Sequence, residues 1–138
     1  MDADCGRRKA RTQTIEFEIL KMQKRVLALG RMKAGVMNKT EKSYAEHLER
    51  LRIGGDVVWY KFEGVKFRLA DNTFYTPDFA VMKATGELEI HEVKGSSYIF
   101  QDDAKVKVKV ASEMYPLKFF VAFPKKGSHN AKWELVEY

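Results

Sequence analysis

The stretch from Tyr75 to Gly95 constrains this chain more than any other. Tyr75-Thr76-Pro77-Asp78-Phe79 opens an apolar run, Ala84-Thr85-Gly86 interrupts it, and Glu89-Ile90-His91-Glu92-Val93-Lys94-Gly95 follows. Two β-forming segments so closely spaced predict a hairpin. If Ala84 to Gly86 form the loop with Gly86 left-handed, cross-strand partners have numbers summing to 170, and Asp78 faces Glu92. Ala80 then pairs with Ile90 and Met82 with Leu88 on the same face, so two carboxylates end an otherwise apolar, core-directed surface. Lys94 joins them one step along.

Two carboxylates about 4 Å apart repel by roughly 4 kcal/mol at an effective dielectric near 20. Three things can compensate: a retained proton, neutralisation by Lys94, or a bridging hard divalent cation such as Mg²⁺, which prefers one or two carboxylates with waters and phosphate. These residue types suit phosphodiester hydrolysis, with a metal activating water and a partly buried lysine donating to phosphate oxygens.

The rest of the chain is read around that hairpin. Asn38-Lys39-Thr40-Glu41 has the form of a capping box and predicts a helix running to about Ile53, with Tyr44, Ala45, Leu48, Leu51 and Ile53 near one face and Gly54-Gly55 as its stop. Val57–Phe62, Val65–Leu69, Phe74–Met82 and Leu88–Lys94 read as an antiparallel meander. Ala104 to Tyr115 alternates Lys and Val, which favours a strand. Asp102 and Asp103 suit a helical first turn, however, and a helix here lets Leu117–Phe123 rejoin the sheet in parallel, so a helix is expected. Lys132–Tyr138 reads as an edge strand. Upstream, Thr14 to Lys33 predicts a further helix after a tail of residues 1–13. The expected organisation is an N-terminal tail and helix over residues 1–37 and a domain over residues 38–138, of α/β (α+β) class with a mixed central sheet flanked by helices.

Charge is distributed unevenly. Met1 to Lys39 holds ten Lys/Arg against four Asp/Glu, and the remainder holds fifteen of each, so the whole net charge of +6 belongs to the N-terminal region. Arg7, Arg8, Lys9 and Arg11 form a candidate electrostatic anchor for a polyanion. No apolar run reaches the roughly 18 to 20 residues of a membrane span, and no secretion signal is evident, which predicts a cytoplasmic chain without a membrane partner. The lone Cys5 is given no role.

Pro77-Asp78 and Glu92-Val93-Lys94, with Glu41 on the preceding helix, resemble the PD-(D/E)XK nucleases, whose core is αβββαβ. The block from Tyr75 through Glu92-Val93-Lys94-Gly95 to Asp102-Asp103-Ala104 is similar to the phage endonuclease I type, which resolves DNA junctions, and to small phage-encoded relatives. The resemblance covers roughly residues 38 to 123. It implies a Mg²⁺-dependent DNA endonuclease, with Mn²⁺ able to substitute, acting on branched DNA as a homodimer. Asp78, Glu92, the Val93 carbonyl and Glu41 would be metal ligands, and Lys94 the catalytic lysine. Duplex nicking, end processing and a non-catalytic DNA-binding module are the alternatives.

Expected DNA contacts are Arg7, Arg8, Lys9, Arg11, Lys39, Ser96, Lys105 and Lys109. Each has an ordinary competing reading. Glu41 at the third helical position can serve only the capping box, Lys105 and Lys109 can be a solvated helix flank, and Tyr98 and Phe100 can pack instead of stacking on bases. Glu46, Glu49 and Glu63 read as solvated acids, and His47 and His129 as ordinary histidines. Strand alternation sends His91 to the face opposite Glu92.

Overall fold

The computed structural model describes residues 35–96, 102–127 and 132–138. The chain divides into two compact units, Met1–Val36 and Met37–Tyr138, and every described helix and strand belongs to the second. The expected helix at Thr14–Lys33, the basic residues Arg7, Arg8, Lys9 and Arg11, and Tyr98, Phe100 and His129 lie outside the described residues.

Helix α1 spans Lys39–Ile53. It starts where expected because Asn38 and Glu41 satisfy each other's backbone: the Asn38 side chain accepts from the Glu41 amide at 2.9 Å, and the Glu41 carboxylate accepts from the Asn38 amide at 2.7 Å. It ends in paired bonds from the Asp56 amide to the Leu51 carbonyl and from the Gly55 amide to the Arg52 carbonyl, with Gly55 at φ +89°. Tyr44 and Leu48 are fully buried. The expectation for Ile53 is corrected: it is 74% exposed, because the helix has reached its terminus and turned its last residue off the sheet.

The strands follow as β1 (Val57–Phe62), β2 (Phe67–Ala70), β3 (Thr73–Tyr75), β4 (Phe79–Lys83) and β5 (Leu88–Val93). Helix α2 (Asp102–Met114) precedes β6 (Lys118–Pro124) and β7 (Trp133–Glu137). The fold is α+β, with a mixed five-stranded sheet of order β1-β4-β5-β6-β7; β5 and β6 are parallel and the other neighbours antiparallel. The expected four-strand meander is corrected. Pro77, which has no N–H to give a ladder, and the flanking Thr76 and Asp78 divide the expected Phe74–Met82 strand in two. The first half pairs with β2 as a separate hairpin turning at Asn72 (φ +50°), so β1 lies directly beside β4.

Two cores flank the sheet. On one face Ala80, Ile90, Phe119 and Val121 pack with Val108 and Ala111 of α2 and with Phe67 and Tyr75 of the small hairpin. On the other, Phe79, Val81, Val93 and Ala122 pack with Tyr44 and Leu48 of α1. Fully burying a side chain such as Leu48 contributes about 1.5–3 kcal/mol, so each helix is held mainly by the stripe it presents to the sheet. In α2 that stripe is Val108 and Ala111, with Val106 56% exposed, which resolves the Lys/Val alternation in favour of the helix. Among the described residues no helix is long and apolar enough to cross a membrane.

Candidate active site

The β4–β5 hairpin has the expected loop. The Gly86 amide donates to the Lys83 carbonyl, the Lys83 amide donates to the Glu87 carbonyl, and Gly86 sits at φ +89°. The register pairs Phe79 with His91, Ala80 with Ile90, Val81 with Glu89 and Met82 with Leu88, every pair summing to 170. Asp78 lies one residue before β4, beyond the last ladder pair. Its carboxylate Oδ2 accepts from the Val93 amide at 2.7 Å, while its own carbonyl accepts from the Glu63 amide at 2.7 Å. Asp78 therefore meets β5 through the Val93 amide, next to Glu92, whose charge acts on it.

Glu92 is buried and bonded at both oxygens. Oε1 pairs with Lys94 Nζ at 3.0 Å, and Oε2 accepts from the Tyr75 hydroxyl at 2.8 Å. Lys94 continues β5, its amide donating to the Ala122 carbonyl. Burial, followed by the charges of Glu92 and Glu41 and against the Val93 amide and Lys94, pushes the Asp78 carboxyl up to about 8. Lys94 loses some basicity to burial, but the charge and hydrogen bond of Glu92, then Asp78 and Glu41, raise it above the ordinary lysine value. Glu41 is raised chiefly by burial, against its bond from the Asn38 amide, with Glu63 and Glu92 adding repulsion. Burial and then Glu92 likewise raise the Tyr75 phenol, so its hydroxyl remains a donor.

These groups form an electrostatically coupled set in which three carboxylates share one nearby ammonium. Glu41 joins it through charge while its carboxylate closes the helix cap. Among the described residues no hydrogen bond or ion pair joins Lys39, Lys105 or Lys109 to Asp78, Glu92 or Glu41. Lys39 is exposed at the start of α1, Lys105 and Lys109 lie on α2, and Ser96 follows Lys94 by two residues. Glu49 is a surface acid paired with Arg52 at 2.6 Å.

The donor set suits magnesium in its usual mode. The oxygens are hard, and Asp78 Oδ1 has no hydrogen-bond partner among the described residues. Each Glu92 oxygen accepts one bond of the two it can take. Among the described residues no group of three or more His, Cys, Asp and Glu side chains forms an all-protein cage. One or two carboxylates completed by water is what Mg²⁺ takes, and its charge would offset the burial that now favours a proton on Asp78.

Sequence reasoning missed Tyr75 as the residue that orients Glu92. Its signal was a buried tyrosine, whose hydroxyl needs a partner, in the strand leading to Asp78. A second buried polar set was also missed, on the opposite face. Glu89 accepts from His91 Nε2 at 2.8 Å, which leaves Nδ1 to accept from the Tyr44 hydroxyl. The bond from His91 holds the Glu89 carboxyl below its usual range despite burial. Strand alternation separates this set from Glu92, as expected for His91. No family model, curated protein or solved structure matches the chain.

Proposed function

We propose that the chain is a magnesium-dependent DNA endonuclease selective for branched DNA, acting in the cytoplasm as a homodimer in which each copy supplies one cutting centre. The observation that carries this reading is Asp78 bonded to the Val93 amide, between the ion-paired Glu92 and Lys94, at one end of an antiparallel strand pair and coupled by charge to both and to Glu41. Its residue order also resembles that of the PD-(D/E)XK nucleases.

Magnesium held by Asp78 and Glu92, with the Val93 carbonyl and waters, would supply an acidified water and positive charge against the phosphodiester. Tyr75 and Lys94 fix the Glu92 carboxylate between them, so its orientation is set before any ligand arrives. Lys94 stays protonated through neutral pH because the surrounding carboxylates raise it. It therefore acts as a hydrogen-bond donor to a phosphate oxygen, not as the base that takes a proton from water. That proton goes to a carboxylate, and Glu41, raised above the ordinary value, is suited to accept it. Water attacks phosphorus in line, the bond from phosphorus to the leaving sugar oxygen breaks, and solvent protonates that oxygen.

A second reading has one observation in its favour: both Glu92 oxygens already accept from protein donors, as in a structural ion pair. One experiment separates the two. Linear duplex, nicked, single-stranded and four-way-junction DNA are incubated with wild type and Lys94→Ala, in Mg²⁺ and in EDTA. Cutting of the junction by wild type in Mg²⁺, lost in EDTA and in the variant, supports the nuclease. Absence of cutting by folded wild type, or cutting that survives both changes, removes it.

A further inference from the structure

Beside the candidate centre lies a cavity of about 720 Å³ whose lining includes Phe123, Val136, Glu134, Lys125 and Lys126. The volume is within the roughly 300–1,000 Å³ of small-ligand sites. Register puts the cavity on the same sheet face as the centre. Glu92 on β5 lies opposite Val121 on β6, which lies opposite Val136 on β7, and residues directly opposite share a face. One step further along, Lys94 has its amide on the Ala122 carbonyl, and Phe123 lies opposite Glu134. The Glu92–Lys94 pair therefore runs on across β6 to β7 as a row of Phe123, Val136 and Glu134. Gly95 and Ser96 after β5, and Lys125 and Lys126 after β6, wall the end at which both parallel strands finish, the usual place for a ligand on a sheet containing parallel strands.

We infer that this cavity holds one unpaired nucleotide of the DNA substrate, next to the phosphodiester at the candidate centre, and prefers a base with an exocyclic amine. The inference rests on the nuclease reading for its substrate class and deepens it. Val136, with the part of Phe123 that lines the cavity beside the core, supplies apolar wall for a base, a contact that tolerates any sequence. Lys125 and Lys126 supply two positive charges for the backbone. Glu134, a carboxylate inside an otherwise basic and apolar cavity, would repel a phosphate placed against it but accepts from an amine such as cytosine N4. Its position on the sheet row beside Phe123 suits it to the base and not to the backbone. An unpaired nucleotide is what a branch point or flap presents, so the cavity provides a physical basis for preferring such DNA over intact duplex.

The test is binding, separate from cutting. Fluorescence anisotropy with labelled oligo(dC) and oligo(dT), in EDTA across a salt series, compares wild type with the exposed-site variants Lys125→Ala/Lys126→Ala and Glu134→Gln. Wild type is expected to bind oligo(dC) several-fold more tightly than oligo(dT), and Glu134→Gln to remove that difference. The double lysine variant should weaken binding to both and lower the slope of log affinity against log salt by about 1.4, at roughly 0.7 per lost single-strand phosphate contact. Equal affinities and slopes in all three proteins overturn the inference. If wild type cuts junction DNA in Mg²⁺ while the variants bind as it does, the cavity assignment falls and the nuclease stands. If the variants behave as expected and no DNA is cut, the nuclease reading falls and the nucleotide site stands.

Discussion

Replacing Asp78 with asparagine should stabilise the metal-free protein while ending catalysis. Burial and the neighbouring carboxylates hold the Asp78 carboxyl at about 8, against 3.8 for an ordinary aspartate. Between those two values the folded state binds more protons than the unfolded state, so stability falls as pH rises through the window. At 1.36 kcal/mol for each pH interval over which the proton numbers differ, the loss from this group between pH 4 and pH 7 is on the order of 4 kcal/mol. In the Asp78→Asn variant the side chain would carry no charge to desolvate or to repel Glu92 and Glu41, and its amide oxygen can still accept from the Val93 amide. For a unit of this size the difference corresponds to roughly 20 °C in Tm.

Thermal unfolding followed by circular dichroism, in EDTA from pH 4 to pH 8, reads the effect directly. Wild type should lose stability across that range and Asp78→Asn much less, keeping only the fall that the raised Glu41 contributes, the two meeting near pH 4. Below about pH 4.5 both should weaken, because Glu89 is held below its usual range by His91 and its contribution is lost as pH falls through the folded value. Mg²⁺ at a hundred times its Kd should restore about 2.7 kcal/mol to wild type at pH 7 and much less to the variant. Parallel pH profiles for the two proteins, or an asparagine variant less stable than wild type at pH 7, would refute the account of Asp78 as a strained, coupled carboxyl.

Tyr75→Phe removes the hydroxyl that donates to Glu92 Oε2 at 2.8 Å and should cost about 1.5–3 kcal/mol in urea unfolding, since a buried carboxylate loses a bond. A change under about 0.5 kcal/mol would mean Glu92 finds another donor. Glu41 has two separable roles: Glu41→Gln keeps the reach back to the Asn38 amide and should unfold within about 0.5 kcal/mol of wild type, while Glu41→Ala should cost about 1 kcal/mol. If DNA cutting falls equally in both, the charge acts in the reaction; cutting that tracks stability alone would confine Glu41 to the cap.

Legibility in the sequence followed the range of the interaction. Features set by a few adjacent residues were readable: the Asn38–Glu41 cap, the Gly86 loop, and through it a register that pairs Ala80 with Ile90. The Lys/Val alternation of α2 was readable only through its neighbours, because period 2 and β-branching argue for a strand until the parallel return of β6 demands a crossover. Features set by competition between distant segments were not readable. Pro77 marks a weak point in the expected Phe74–Met82 strand, but nothing local says that β2 would take β3 out of the main sheet. Tyr75 reached Glu92 as a consequence of that rearrangement, since the hairpin folds over the sheet face and brings the hydroxyl in with Phe67.

The same alternation explains why one short strand can hold two polar sets without merging them. Along β5, Glu89 and His91 point to α1 and close their bonds with Tyr44, whereas Glu92 points to the α2 face and meets Tyr75 and Lys94. His91 is adjacent to Glu92 in sequence but separated from it by the thickness of the sheet, so it cannot exchange a proton with the candidate centre. The two sets also differ in what they leave unsatisfied. On the α1 side the bonds run from Tyr44 through His91 to Glu89, and the Glu89 carboxyl sits below its usual range, as in a structural network. In the other set Asp78 sits far above its ordinary value, and among the described residues Asp78, Glu92 and, from the start of α1, Glu41 share Lys94. A fold that satisfies buried charge on one face and leaves it strained a residue away on the other concentrates its uncompensated electrostatic free energy at one place, which is where a cation and a phosphodiester would relieve it.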